Sequence, residues 1–161
     1  MRILHQLAVV VLAMNVAAGV PASLRADTAS NCAVTIPNLT KFQWYGNSKL
    51  RVGLYWPDGT VVFRPGGPGF ITPDGSLGMK FGWWRGARGK LSISGKRLDA
   101  PAPRLRAQLP EGYGYGGFES SYLIFPTSGC WEVTGKVGEA KVIFVTRVVK
   151  IGNGPDWHRP G

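Results

Sequence analysis

YLIFPTSGCWEVTGKVGEAKVIFVTRVVK, residues 122–150, reads as a strand, a sharp Pro-Thr-Ser-Gly corner and a long hairpin whose arms meet at Gly138-Glu139. Trp131, Val133 and Val137 fall on one side of the first arm, and Glu132 and Lys136 on the other. That is the two-residue period of a half-buried strand. The return arm, Val142–Val149, is almost continuously β-branched or aromatic, which predicts a strand buried on both faces. Strand, corner, cysteine-bearing strand and final strand together predict the closing half of an immunoglobulin-like sandwich.

Upstream, 23 glycines and 12 prolines punctuate short apolar runs, and helix signals are almost absent. One turn recurs, Pro57-Asp58-Gly59 and Pro73-Asp74-Gly75, in which Pro presets the first dihedral and Gly takes the positive φ of a tight hairpin. The first turn is expected to pair Leu50–Trp56 with Thr60–Arg64. Leu50, Val52, Leu54 and Trp56 then share one face, with Arg51 and Tyr55 on the other. The second turn leads into Ser76–Trp84, where Leu77, Met79, Phe81 and Trp83 alternate with small or polar residues. A short strand at Leu91–Ile93, ending at Ser94-Gly95, and another at Phe118–Phe125 complete the pattern. Asp99–Pro110, with three prolines, is expected to cross between sheets in an extended form. The prediction is an all-β chain: an immunoglobulin-like antiparallel β-sandwich of about seven strands, spanning residues 27–151, with a loose tail at 152–161.

Met1–Ala26 has the form of a signal peptide. Arg2 supplies the basic start, Leu7–Val20 is apolar except for Asn15, and Ala22 or Ala26 precedes the cleavage site. The apolar run is shorter than the ~18–20 residues of a membrane span, so the protein is expected to be exported, periplasmic or extracellular, and not integral to a membrane. The formal charge of +10 loses Arg2 and Arg25 on cleavage, leaving about +8. Such a charge attracts anionic polymers at long range and also maintains solubility. Cys32 and Cys130 are the only cysteines, and in an oxidising compartment they are expected to pair.

Catalytic constellations are scarce. The only histidine outside the signal segment is His158 in the tail, which argues against a metal site, a Ser-His-Asp triad or a Cys-His pair. Gly112–Gly117 formally satisfies a dinucleotide-binding pattern but is followed by a strand rather than a helix, so no cofactor is expected. Glu119, Glu132, Asp99 and Glu111 leave a carboxylate-based hydrolase as the weakest of three readings. The basic residues are scattered and match no nucleic-acid motif, so no specific nucleic acid is expected as a partner.

The strongest binding candidate is WWRGARGK, residues 83–90. Strand alternation turns one of the two adjacent tryptophans outward. Trp84 would then stand beside Arg85, Arg88 and Lys90, with Tyr113 and Tyr115 as a second wall and Lys96, Arg97, Arg104 and Arg106 extending the patch. Indoles beside cations suit stacking on sugar rings or holding an anionic polymer. The competing interpretation has Trp84 covering a sheet edge against the Pro-rich crossing, with the cations guarding that edge. Function therefore reads first as a non-enzymatic binder of an envelope glycan, anionic polymer or protein. The second reading is an inhibitor or adaptor acting through an exposed loop, Pro65–Phe70 or Glu111–Gly117.

The runs VGLYWPDGTVVFRPGGPGF (52–70), GSLGMKFGWWRGARGKL (75–91) and FPTSGCWEVTGKVG (125–138) resemble, in that order, an uncharacterised family of small secreted bacterial immunoglobulin-like proteins. The Gly-Cys-Trp-Glu-Val-Thr-Gly motif is the most specific part. The resemblance implies bacterial export and the sandwich architecture, and carries no ligand residues with it. The Gly-Cys-Trp corner departs from antibody domains, which have a tyrosine two residues before that cysteine.

Overall fold

The computed structural model describes residues 32–37 and 43–152. The signal segment Met1–Ala26 and the tail beyond Gly152 lie outside the described residues. Ten strands form two sheets. In one sheet the order is β1 (Trp44–Gly46), β2 (Leu50–Gly53), β5 (Leu77–Arg85), β8 (Gly117–Phe125) and β7 (Arg106–Gln108), with β4 (Phe70–Ile71) also pairing with β5. In the other it is β3 (Thr60–Phe63), β10 (Ala140–Lys150), β9 (Gly129–Val137) and β6 (Ser92–Arg97). The runs β2-β5-β8-β7 and β6-β9-β10 reproduce the spatial order of an immunoglobulin sandwich. Three of the ten strands span only two or three residues, too short to show a period, which is why about seven were expected.

The closing hairpin forms in the expected register, with Val137 facing Ala140 across Gly138-Glu139. Its return arm, however, is not buried on both faces. Ala140, Val142, Phe144, Thr146 and Val148 point into the core, while Lys141, Ile143 and Arg147 are exposed. The β-branched residues on the outer side serve strand propensity rather than core packing.

The first Pro-Asp-Gly turn does not make a hairpin. Gly59 N–H donates to Trp56 O at 3.0 Å, closing the turn, but the chain then leaves its sheet and β3 runs parallel to β10. Two contacts draw it there: Arg147 N–H and the Thr146 hydroxyl both donate to Gly59 O, at 3.1 and 2.8 Å. Leu54 is buried and Trp56 stacks on Phe81 with centroids 5.4 Å apart, so the segment drops into the inter-sheet space. The second turn is the expected hairpin, joining β4 to β5. Asp74 caps it, accepting from the Thr72 hydroxyl and from Ser76 N–H. The Thr72 contact, followed by Ser76, holds the Asp74 carboxyl well below the usual carboxylate range.

Asp99–Pro110 does cross from β6 in one sheet to β7 in the other, although it contains β7 itself. Between the sheets, Trp83, Phe81, Phe144, Trp131 and Phe125 are fully or almost fully buried. Each such side chain contributes about 2–3 kcal/mol. The Trp83 indole donates to Ser121 Oγ at 2.9 Å. It lies against Gly135 of β9, where an added Cβ would approach Trp83 Cζ3 to 2.4 Å.

Cys32 and Cys130 form the expected disulfide, closing a loop with a sequence separation of 98. Cys130 faces outward on β9 opposite Arg147, so the bridge ties the N-terminal segment onto the sandwich. Thr35 extends that tether, donating its N–H to Val145 O and accepting Val145 N–H on its hydroxyl.

Gly135→Ala is expected to destabilise the domain by about 2–3 kcal/mol in urea melts, because the methyl can be seated only by displacing a buried indole. The double variant Cys32→Ser/Cys130→Ser should be less stable than the wild type by about 4–5 kcal/mol, the loop-closure value for such a ring, read in the same assay.

Candidate functional site

The outward positions of β5 are Gly78, Lys80, Gly82 and Trp84. β5 is a central strand, so Trp84 cannot be guarding a sheet edge. Its direct neighbours across the ladders are Arg51 of β2 on one side and Phe118 of β8 on the other. Next along the strands comes a second outward row: Trp44 of β1, Gly53, Gly82 and Ser120. The first row carries large side chains, whereas the second has two glycines and a serine at its centre.

Tyr55 fills the trough those small residues leave. A Cβ built on Gly53 would lie 2.7 Å from the Tyr55 ring, and one on Gly82 would lie 2.9 Å from its hydroxyl. At the β8 side, Tyr113 stands edge-on to Phe118 with centroids 6.3 Å apart, and its hydroxyl hydrogen-bonds Ser120 Oγ at 2.8 Å. At the β1 side, the Arg51 guanidinium carbon sits 5.6 Å from the ring centroids of both Trp44 and Trp84. Trp84, Tyr55 and Phe118 are 39, 49 and 47 % exposed. These six side chains form one aromatic platform with a single cation set into it. Trp44 also opens onto a groove of about 470 Å³, lined by Ile36, Tyr45, Gly46 and Lys141–Ile143.

Arg85 is placed differently from the expectation. Instead of standing beside an exposed indole it points inward and is buried, 2.9 Å from Glu119. The Arg85 Nε–Glu119 Oε2 contact lacks hydrogen-bond alignment, so it acts through charge. The other guanidinium nitrogens donate to Gly89 O at 2.8 Å and Gly114 O at 2.6 Å. Gly89 N–H in turn donates to Tyr115 O at 2.9 Å. Arg85 thus binds the 86–91 loop to the Gly-Tyr loop and positions Tyr113 and Tyr115 rather than touching solvent. Burial pushes the Glu119 carboxyl up, and the Arg85 charge opposes that shift.

Tyr115 is 62 % exposed beyond the platform, and Lys90 is exposed. Arg88 is exposed at the rim of a groove of about 360 Å³, shared with Lys49, Gly86, Ala87 and the Val137–Ala140 turn. These cations surround the end of the sandwich nearest Trp84. Lys96, Arg97 and Arg106 do not extend that patch. Lys96 pairs with Glu132 on the opposite sheet, Arg97 with Asp99, and Arg106 with Asp74 at the start of β5. Arg104 lines a separate groove with Lys96 and Glu132.

Trp44, Arg51, Tyr55 and Phe118 were not singled out by sequence. Their alternation was visible, but their meeting depends on β2 pairing with β5 rather than with β3. Glu119 and Glu132 do not share a groove: the first faces the core from one sheet, the second faces outward from the other. Among the described residues no cluster of His, Cys, Asp or Glu is placed to hold a metal ion, and no helix is long and apolar enough to cross a membrane. Compared with protein families, curated proteins and solved structures, the chain finds no match.

Arg85→Met should destabilise the domain by about 3 kcal/mol near neutral pH, since it strands a buried carboxylate and frees two loops. A carboxyl whose folded pKa is raised favours the fold below its unfolded pKa and loses that contribution as pH rises through the folded value. Removing the opposing charge strengthens this dependence. Urea melts should therefore show a larger deficit for the variant at about pH 8 than at about pH 4.5.

Proposed function

We propose that this chain is an exported, non-enzymatic β-sandwich module that binds an envelope glycan on the outer face of its larger sheet. The observation that carries the reading is the platform around Trp84. Trp44, Tyr55, Trp84, Phe118 and Tyr113 share one solvent-facing surface, whereas Phe63, Phe81, Trp83, Phe125, Trp131 and Phe144 are buried in the core. Flat, partly apolar sugar faces suit such rings, whose polar edges remain wet. The rings are held in place by their neighbours: Tyr55 rests on two glycines, Tyr113 bonds Ser120, and Trp44 and Trp84 flank Arg51. A preorganised surface of this kind loses little side-chain entropy on binding. The separation of Glu119 from Glu132 supports the non-enzymatic part of the reading. The family resemblance of the Gly-Cys-Trp-Glu-Val-Thr-Gly motif supports export.

The test is retention of the purified protein on an array of bacterial glycans at low and high salt. Retention should persist at high salt, where bulk charge attraction is screened. Trp84→Ala should weaken it about tenfold, equivalent to about 1.4 kcal/mol. Retention that disappears with salt equally in both proteins would reduce the interaction to net charge. Retention unchanged by the substitution would remove the platform from the account.

A further inference from the structure

The cation set into the platform bears on which glycan fits it. Arg85, Arg97 and Arg106 each have an acidic partner, at 2.9, 2.6 and 2.8 Å. Arg51 has none among the described residues. Its Nε is buried and without a hydrogen-bond partner, and its contacts are the two indole rings of Trp44 and Trp84. A ring face attracts the guanidinium charge but accepts few of its five N–H donors. The buried Nε stays unmet at a cost, and no side chain or backbone oxygen among the described residues is seen to occupy the terminal nitrogens of this half-buried guanidinium, so their natural complement is an acceptor that arrives with the ligand.

From this the geometry points to Arg51 as an oxyanion-reading residue, making the platform's ligand an acidic saccharide, one carrying a carboxylate or phosphate on the sugar. The assignment rests on the glycan reading above and adds the ligand's charge to it. A planar guanidinium pairs bidentately with either anion. The indoles on its two sides offer surfaces for the sugar ring that bears the anion or for its neighbours. The net charge, +10 for the full chain less the two arginines of the signal segment, draws such a polymer in, and the cations at Lys49, Arg88 and Lys90 lie at the same end of the sandwich. Lysine at position 51 would retain the charge but lose the paired donors.

Binding is measured by titration calorimetry with three probes: an oligogalacturonate, its fully methyl-esterified form, and a phosphomannan oligosaccharide. The wild-type protein should bind at least one acidic probe at least tenfold more tightly than the ester. Arg51→Lys should lose about tenfold on that probe, and Arg51→Gln should abolish the preference for acid over ester. Arg147→Gln, on the opposite sheet, should behave as wild type. Melting curves of each variant separate loss of binding from loss of fold, since Arg51 lies on an outer face and its replacement should leave the melt within a few degrees. Which acidic probe wins distinguishes carboxylate from phosphate. Equal binding of acid and ester overturns the role of Arg51 while leaving the platform reading intact. An acid preference that survives Arg51→Gln, or falls equally with Arg147→Gln, also overturns it. Binding of none of the three probes overturns it as well, and the array result with Trp84→Ala then decides the platform separately.

Discussion

The Trp83 indole occupies a seat that only a residue without a side chain can provide. It lies on Gly135 of the facing sheet and is fixed by its donation to Ser121. The contact demands a specific register, because a large ring must meet a bare backbone across the sandwich. Once Trp83 points inward, the alternation of β5 dictates the rest of the strand. Phe81, Met79 and Leu77 follow it into the core, and Trp84 faces outward. A slip of one residue would exchange the two indoles and bury a lysine. The outer platform is therefore a consequence of the inner packing.

The same strand end also organises the loops. Arg85, the next inward residue, lies beyond the apolar core, where a charge can be matched by Glu119 and by backbone carbonyls of two loops. Leaving a guanidinium buried at this point is tolerable because its two terminal nitrogens donate to carbonyl oxygens and the Glu119 carboxylate opposes its charge. In return, a glycine-rich segment with little intrinsic order is held where Tyr113 can reach Ser120 and Phe118. Three successive residues thus take three separate tasks. Trp83 sets the register, Trp84 presents a surface, and Arg85 fixes the loops that border it.

Much of this was legible from local pattern. The closing hairpin, its two-residue turn, the Cys32–Cys130 pairing and the opposite orientations of Trp83 and Trp84 all follow from a period of two and from turn chemistry. What failed to read was partner choice between distant strands. The Pro57-Asp58-Gly59 turn looks like its counterpart at Pro73-Asp74-Gly75, yet Leu54 and Trp56 carry the chain into the core and Gly59 is captured by β10. With that change of sheet, Arg51 and Tyr55 came to lie beside Trp84 instead of on a separate hairpin. Arg85 misled for a related reason. A charge next to an exposed tryptophan suggests a surface cation, but the alternation that buries Trp83 also turns Arg85 inward, where Glu119 on the neighbouring strand meets its charge.

The most direct check of the central claim is where a saccharide touches the protein. Hydroxyl-radical footprinting in the presence of a saturating glycan that the protein retains would report protection ring by ring. The account predicts that Trp44, Tyr55, Trp84 and Phe118 lose modification together, while Trp83 stays unmodified throughout and the exposed Leu98, just beyond β6 of the opposite sheet, is unchanged. Protection centred on the opposite sheet, with Trp84 as reactive as in the free protein, would contradict it.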